Sequence, residues 1–184
     1  MKRAILISIR PEWVAKILNG KKTIEIRKTA PKCELPIDVY IYCTKGFSRG
    51  PLGYFKEGKL VVLQGKVVAK FALKKVEPIL KVEGPCRRNT PLDYRTPLFF
   101  PDVLYNKSKL DPYQIDDYMA GGKAYAWHIF DLQTFDKPKE LSDFFSLPET
   151  YHHDHESMVD YYERKEARRL KRAPNSWQYV EVEE

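Results

Sequence analysis

The sequence predicts an α+β domain built on a small, mostly antiparallel β-barrel flanked by helices. Three observations predict it. The elements run strand, helix, strand, strand, one long strand or two, helix, strand. Five or six strands with one early helix leave few strand–helix–strand crossovers, which argues against a doubly wound sheet. Hydrophobic residues are 43% of the 184, enough for a core. Finally, TIEIR alternates strictly, as a half-buried strand should. The length suits a domain over residues 1–148 and a C-terminal elaboration, 149–184, packing on it.

The elements follow in order. AILISI (Ala4 to Ile9) reads as a buried strand. Pro11 suits the first helical position, where its missing N–H costs nothing. Trp13, Val14, Ile17 and Leu18 then recur at helical spacing, and Gly20 stops the helix. In TIEIR, Ile24 and Ile26 take one face and Thr23, Glu25 and Arg27 the other. Lys22 sits in the preceding turn, where the pleat does not fix its direction. DVYIYCT (Asp38 to Thr44) is a third strand, and KGFSRGPLGYFKEGK (Lys45 to Lys59) a basic, Gly-rich loop. LVVLQGKVVAKFALKKVEPI supplies one bent strand or two, with Gly65 as bulge or break. Residues 83–112 carry five prolines and predict a long loop or insertion. PYQIDDYMAGG reads as a short helix capped at Gly121, and Lys123 to Phe135 as a strong strand. KPKELSDFF predicts a turn and a short helix, residues 156–172 a basic helix, and APNSWQYVEV a turn and a short strand.

The net charge is +7 and the pI about 9.2, a balance that favours polyanionic partners, RNA or DNA first. Cys33, Cys43 and Cys86 form no C-x-x-C pair, which argues for reduced thiols rather than a disulfide framework or zinc ribbon. The opening apolar run is too short for a signal peptide, and no segment approaches a membrane span. A soluble cytoplasmic protein is expected, with no membrane partner; the sequence does not fix its oligomeric state. His152, His153, Asp154 and His155 are metal-ligand types, but consecutive residues rarely converge on one ion, so a solvated linker is expected and no metal or cofactor is assigned.

The stretch GKKTIEIRK, Gly20 to Lys28, concentrates both signs of charge after a helix. Its pattern G-x-K-x-x-E-x-R, with Gly20, Lys22, Glu25 and Arg27, resembles the opening of an ASCH domain, a branch of the PUA-like superfamily. IYCT, GKVVAKF, KAYAWHIFDL and PNSWQYVE resemble later runs of its longer bacterial and phage-type form. The resemblance covers roughly residues 3–145. It implies a PUA-like β-barrel with a cleft beside the first helix, binding RNA, nucleotides or modified nucleosides. Some small relatives are amidohydrolases acting on N4-acetylcytidine, and others are reported as ribonucleases. In the amidohydrolases a Lys, a Thr three residues later and a distant Glu are thought to act together. Lys22 matches the Lys. Glu25 stands at the Thr position and brings no hydroxyl nucleophile. Asp116 and Asp117 lie in the region of the distant Glu.

In such a cleft Lys22 and Arg27 would hold a phosphate or base carbonyl. Glu25 would accept from a base amino group, as a carboxylate does from cytosine N4. The plain alternative is an ion pair on the barrel rim. Lys45, Phe47, Arg49, Tyr54 and Phe55 interleave aromatics with charge, a pattern suited to single-stranded nucleic acid or to a loop pinned by its aromatics. Tyr125, Trp127 and Ile129 read as core, His128 as a structural hydrogen-bonder, and Trp177 as an anchor that can also stack a base. If the protein is a hydrolase of acylated nucleosides or RNA, Lys22 is the base and Glu25 its partner. A third reading makes the basic helix around Arg168 and Arg169 a contact surface.

Overall fold

Alternate side chains of the first strand enter two different cores, and this fixes the middle of the sheet. The computed structural model describes residues 1–46, 51–56, 58–79, 82–83, 98–99, 102–120, 122–147 and 165–183. In β1 (Lys2–Ile9), Ile5, Ile7 and Ile9 join one cluster while Ala4 and Leu6 join another. The first cluster lies under α1 (Pro11–Leu18), which buries Val14 and Ile17. Pro11 opens α1 and Gly20 follows it at φ +72°, a conformation glycine adopts without strain.

The remaining strands are β2 (Ile24–Arg27), β3 (Ile37–Cys43), β4 (Gly53–Lys56), β5 (Lys59–Val62), β6 (Val67–Ile79), β7 (Val82–Glu83), β8 (Leu98–Phe99), β9 (Ala124–Lys139), β10 (Phe144–Ser146) and β11 (Trp177–Val182). Seven form one sheet in the order β10-β11-β1-β3-β6-β9-β2. Among the described residues only β1 and β3 pair in parallel, Ile5 opposite Val39; the other ladders of the sheet are antiparallel. The architecture is thus α+β and mostly antiparallel, as expected. Among the described residues no ladder joins the two ends of the sheet, β10 and β2. Register shifts along β6 and β9, such as Val67/Ala69 and Leu73/Val76, insert bulges that bend and twist this long pair.

Several sequence expectations need correction. Within 83–112, residues Asp102–Ser108 form a helix, α2, rather than loop; 84–97 lie outside the described residues. The helix α3 (Pro112–Met119) ends at Ala120 in the left-handed region, before the predicted stop at Gly121, which lies outside the described residues. Its start is a capping box, Asp111 accepting from Gln114 N and Gln114 Oε1 from Asp111 N. The basic segment 45–59 is not all loop, since β4 and β5 pair as a hairpin, Gly53 opposite Val62. In KPKELSDFF, β9 runs on to Lys139, a 3-10 turn covers Leu141–Asp143, and Phe144 and Phe145 enter β10 fully buried. Burial of two consecutive phenylalanines between the sheet and the tail overrides helical spacing there.

The tail helix also ends earlier than expected. Residues 165–167 are helical, and then the chain straightens: Ser146 N donates to Arg168 O and Leu170 N to Phe144 O. Pairing with the β10 edge replaces the last helical turn. Residues 148–164, which include Arg164 and the HHDHE run, lie outside the described residues. Strand β11 then inserts between β10 and β1, so the tail supplies an internal strand. No described helix is long and apolar enough to cross a membrane.

Candidate functional site

Strand β2 carries apolar and charged faces, and both are covered. Ile24 and Ile26 pack with Leu104, Ile115 and Met119 under α2 and α3. The opposite face holds Glu25 and Arg27, 7% and 8% exposed, and the turn delivers Lys22 beside them at 2%. The alternation is as the sequence predicts, and the alternative of an exposed rim ion pair fails, because α1, the Ser108 end of α2 and the tail meet the charged groups.

The three groups form one network. Lys22 Nζ lies 3.2 Å from Glu25 Oε2, and Arg27 Nη2 lies 3.0 Å from Glu25 Oε1. Lys22 Nζ also donates to the main-chain oxygen of Ser108, 2.7 Å, and faces the Trp13 ring at 5.3 Å. Arg27 reaches two further elements: Nη2 donates to Ser8 O at 2.7 Å and Nη1 to Ser176 Oγ at 3.2 Å. Among the described residues, the ion pair to Lys22 leaves Glu25 Oε2 without a well-directed hydrogen bond, and Arg27 Nε has no acceptor either. Buried polar atoms of this kind are uncommon, and each needs a reason. Burial lowers the Lys22 pKa against the pull of Glu25, with Arg27 and Lys16 adding to the lowering.

These residues floor a cleft of about 960 Å³. Its walls come from the end of β1 (Ser8, Ile9), the start of α1 (Trp13 among them), the α3 segment with Gln114, Asp117 and Tyr118, and the tail residues Asn175 and Ser176. Ser8 ties the tail in place: Ser8 Oγ donates to Pro174 O at 2.6 Å and Ser8 N to Ser176 O at 2.9 Å. The volume falls in the range of small-molecule sites. Among the described residues no group of acidic, His and Cys side chains is placed to hold a metal.

Of the residues singled out in the sequence, Lys22, Glu25 and Arg27 are brought together, and Asp117 joins the cleft wall. Lys45 is not in the wall, although Thr44 and Gly46 beside it are. Its aliphatic stem lies over Gly65. Tyr54 packs on the main core, and its hydroxyl donates to Asp136 O at 2.7 Å, so this aromatic pins the hairpin. Arg49 and Phe47 lie outside the described residues, as does the Phe55 side chain. Trp177 lies outside the cleft wall, edge-on to Trp127 at 5.2 Å, with Nε1 donating to Thr29 Oγ1 at 3.0 Å. His128 Nε2 meets Glu77 Oε2 at 2.6 Å, away from the cleft. Arg168 pairs with Glu181 and Arg169 with Glu166, beside Phe145 at the β10 end of the sheet. Thr23 is exposed outside the cleft and replaces no hydroxyl at position 25.

A model of the ASCH domain matches residues 7–139. The chain belongs to the ASCH domain family. The match ends before the tail, so Asn175 and Ser176 come from sequence beyond the matched ASCH region. Crystal structures of ASCH from Zymomonas mobilis share the fold. The wild type is 19% identical at TM-score 0.54, covering 97% of this chain and 87% of that one. Two point variants of that protein are 18% identical at TM-score 0.55, covering 98% and 97% of this chain and 91% and 88% of theirs. A search of curated proteins found no match.

Sequence reasoning missed Trp13 and Tyr118 as wall residues and Ser108 as the partner of Lys22. Trp13 had a usable signal: an indole in the first turn of a helix that starts where a buried strand ends. Tyr118 and Ser108 had none, because both depend on how α2 and α3 fold back.

Proposed function

We propose that this ASCH domain is a PUA-like recognition module that binds RNA or a modified nucleoside in the cleft beside α1. The observation that carries the reading is the buried Lys22–Glu25–Arg27 network on the cleft floor. A charged triad purely for stability is a poor investment, since apolar replacements of buried ion pairs are often neutral or stabilising. In a recognition site the same groups supply fixed donors and an acceptor. The reading places the protein in the cytoplasm, where Cys33 and Cys43 stay as thiols. The test is calorimetric titration of the wild type and Glu25→Gln with N4-acetylcytidine and a short structured RNA. Binding that Glu25→Gln weakens supports the module. No binding of either ligand overturns it.

A second reading, hydrolysis of an acylated nucleoside or of RNA, is favoured by one observation. Burial lowers the Lys22 pKa, which makes its neutral, basic form easier to reach. Glu25 would then orient Lys22. Chromatography of the same mixtures tests it: product formed by the wild type and lost in Lys22→Met supports a hydrolase, and absence of product rejects it.

A further inference from the structure

We infer that the cleft accepts the uncharged heterocycle of its ligand and not a phosphate. This rests on the nucleoside- and RNA-binding reading above and narrows it. The chain carries +7, yet the cleft does not share the excess. Among the described residues its charged wall residues are Arg10, Lys22 and Arg27 against Glu12, Glu25 and Asp117, three of each sign and a formal balance of zero. A polyanion gains its affinity from cations that replace its counterions, and a balanced site offers no such net gain.

The floor argues the same way. Glu25 is acceptor-only when ionised, and it lines the cleft with more lone pairs than Lys22 and Arg27 use. A phosphate also presents only acceptors and negative charge to it. A base edge with an exocyclic amino group presents N–H, the group a carboxylate takes from cytosine N4. The cations of the floor are already committed: Lys22 to Ser108 O and Glu25, Arg27 to Glu25, Ser8 O and Ser176. Trp13 and Tyr118 supply ring surface in the walls, with Ile9, Pro11 and Leu110 as apolar lining. Aromatic faces stack bases with little regard to charge. In an RNA complex the phosphates of the bound nucleotide then lie outside the cleft.

Isothermal titration with cytidine, uridine, cytidine 5′-monophosphate and inorganic phosphate tests this, each at about 50 and about 300 mM KCl. Cytidine is expected to bind more tightly than uridine and within about threefold of its monophosphate, with salt changing its affinity by less than about twofold. Inorganic phosphate is expected not to displace it. Glu12→Gln, on the exposed first turn of α1, gives the cleft a net positive charge and is expected to raise monophosphate affinity relative to cytidine. Trp13→Ala is expected to weaken cytidine about tenfold. Displacement by phosphate, a monophosphate about tenfold tighter than the nucleoside, or an unchanged ratio in Glu12→Gln overturns the inference. Steeply salt-dependent RNA binding without nucleoside binding also overturns it, while leaving RNA recognition standing. Failure of nucleosides, monophosphate and RNA alike overturns both.

Discussion

Lys22 and Ser108 are joined by an interior hydrogen bond of 2.7 Å, from the side-chain Nζ to the main-chain oxygen that closes α2. The ammonium therefore sits at the negative end of a helix as well as beside Glu25. Lys22, in the turn before the strand that floors the cleft, is thereby tied to the helix that leads into the α3 wall. Thr23 N, which donates to Lys107 O at 2.8 Å, makes the same link through the main chain.

Replacing Lys22 with Met keeps much of the volume and removes the cation. It strands the Ser108 oxygen and half of Glu25, while Arg27 continues to pair with the other half. The expected loss is about 3 kcal/mol, the lower end for breaking a buried pair. Urea denaturation measures it. A loss below about 1 kcal/mol would show that Lys22 does not couple the strand to the helix. Any functional loss in a Lys22 variant is to be compared with this stability change.

The same side chain sets a pH dependence. Burial holds the Lys22 pKa below its ordinary value of 10.5. Between its lowered pKa and 10.5 the folded protein binds fewer protons here than the unfolded chain, so this contribution to stability rises with pH. It is complete above 10.5 and lost as pH falls through the folded value. The wild type minus Lys22→Met difference is expected to grow as pH rises towards 10.5, and a flat difference contradicts the assignment.

Cys43 works in the opposite direction. Burial pushes its thiol from 9.0 up to about 12, with Glu12 adding to the rise. A raised folded pKa means stability fully present below pH 9.0 and lost as pH climbs towards about 12. Denaturation of wild type and Cys43→Ala across this range checks it. The alanine variant, although less stable from its lost packing, should lack that part of the alkaline decline.

Arg27→Lys tests the need for a planar fork. The guanidinium serves Glu25, Ser8 O and Ser176 Oγ at once, and a point charge cannot span them. About 2 kcal/mol should be lost by urea denaturation. Ser176→Ala, which removes only one acceptor, should cost about 1 kcal/mol or less. Equal costs for the two would show that the tail contact dominates.

A chain ending at Arg172 lacks β11. That strand gives Val180 and Val182 to the core and pairs with both β1 and β10. Such a chain should show no cooperative unfolding by circular dichroism. A folded truncated protein would show that residues after 172 are dispensable.

The sequence made the local elements legible where one pattern had no rival. Pro11 to Leu18 carried a proline start, helical apolar spacing and a glycine stop, and forms α1 as read. TIEIR showed its two faces, and the G-x-K-x-x-E-x-R pattern brought Lys22, Glu25 and Arg27 to one place. What escaped depended on distant chain. Nothing local says that Lys22, in the turn before this strand, will be met by the end of α2 from a proline-rich stretch. Phe144 and Phe145 follow a helix-like run, but burial against β11 makes them a strand. Arg168 and Arg169 read as part of a basic helix until Glu181 and Glu166 are seen beside them.

The pairing of Lys2 with Val182 places β1 and β11, the first and last described strands, side by side inside the sheet. During synthesis β1 emerges first and has one flank unmatched until β11 leaves the ribosome. Loop closure between residues 2 and 182 must precede that ladder, and contacts of such sequence separation slow folding. The nascent protein thus carries an apolar strand with an open edge until β11 is made, a state that favours chaperone capture or aggregation.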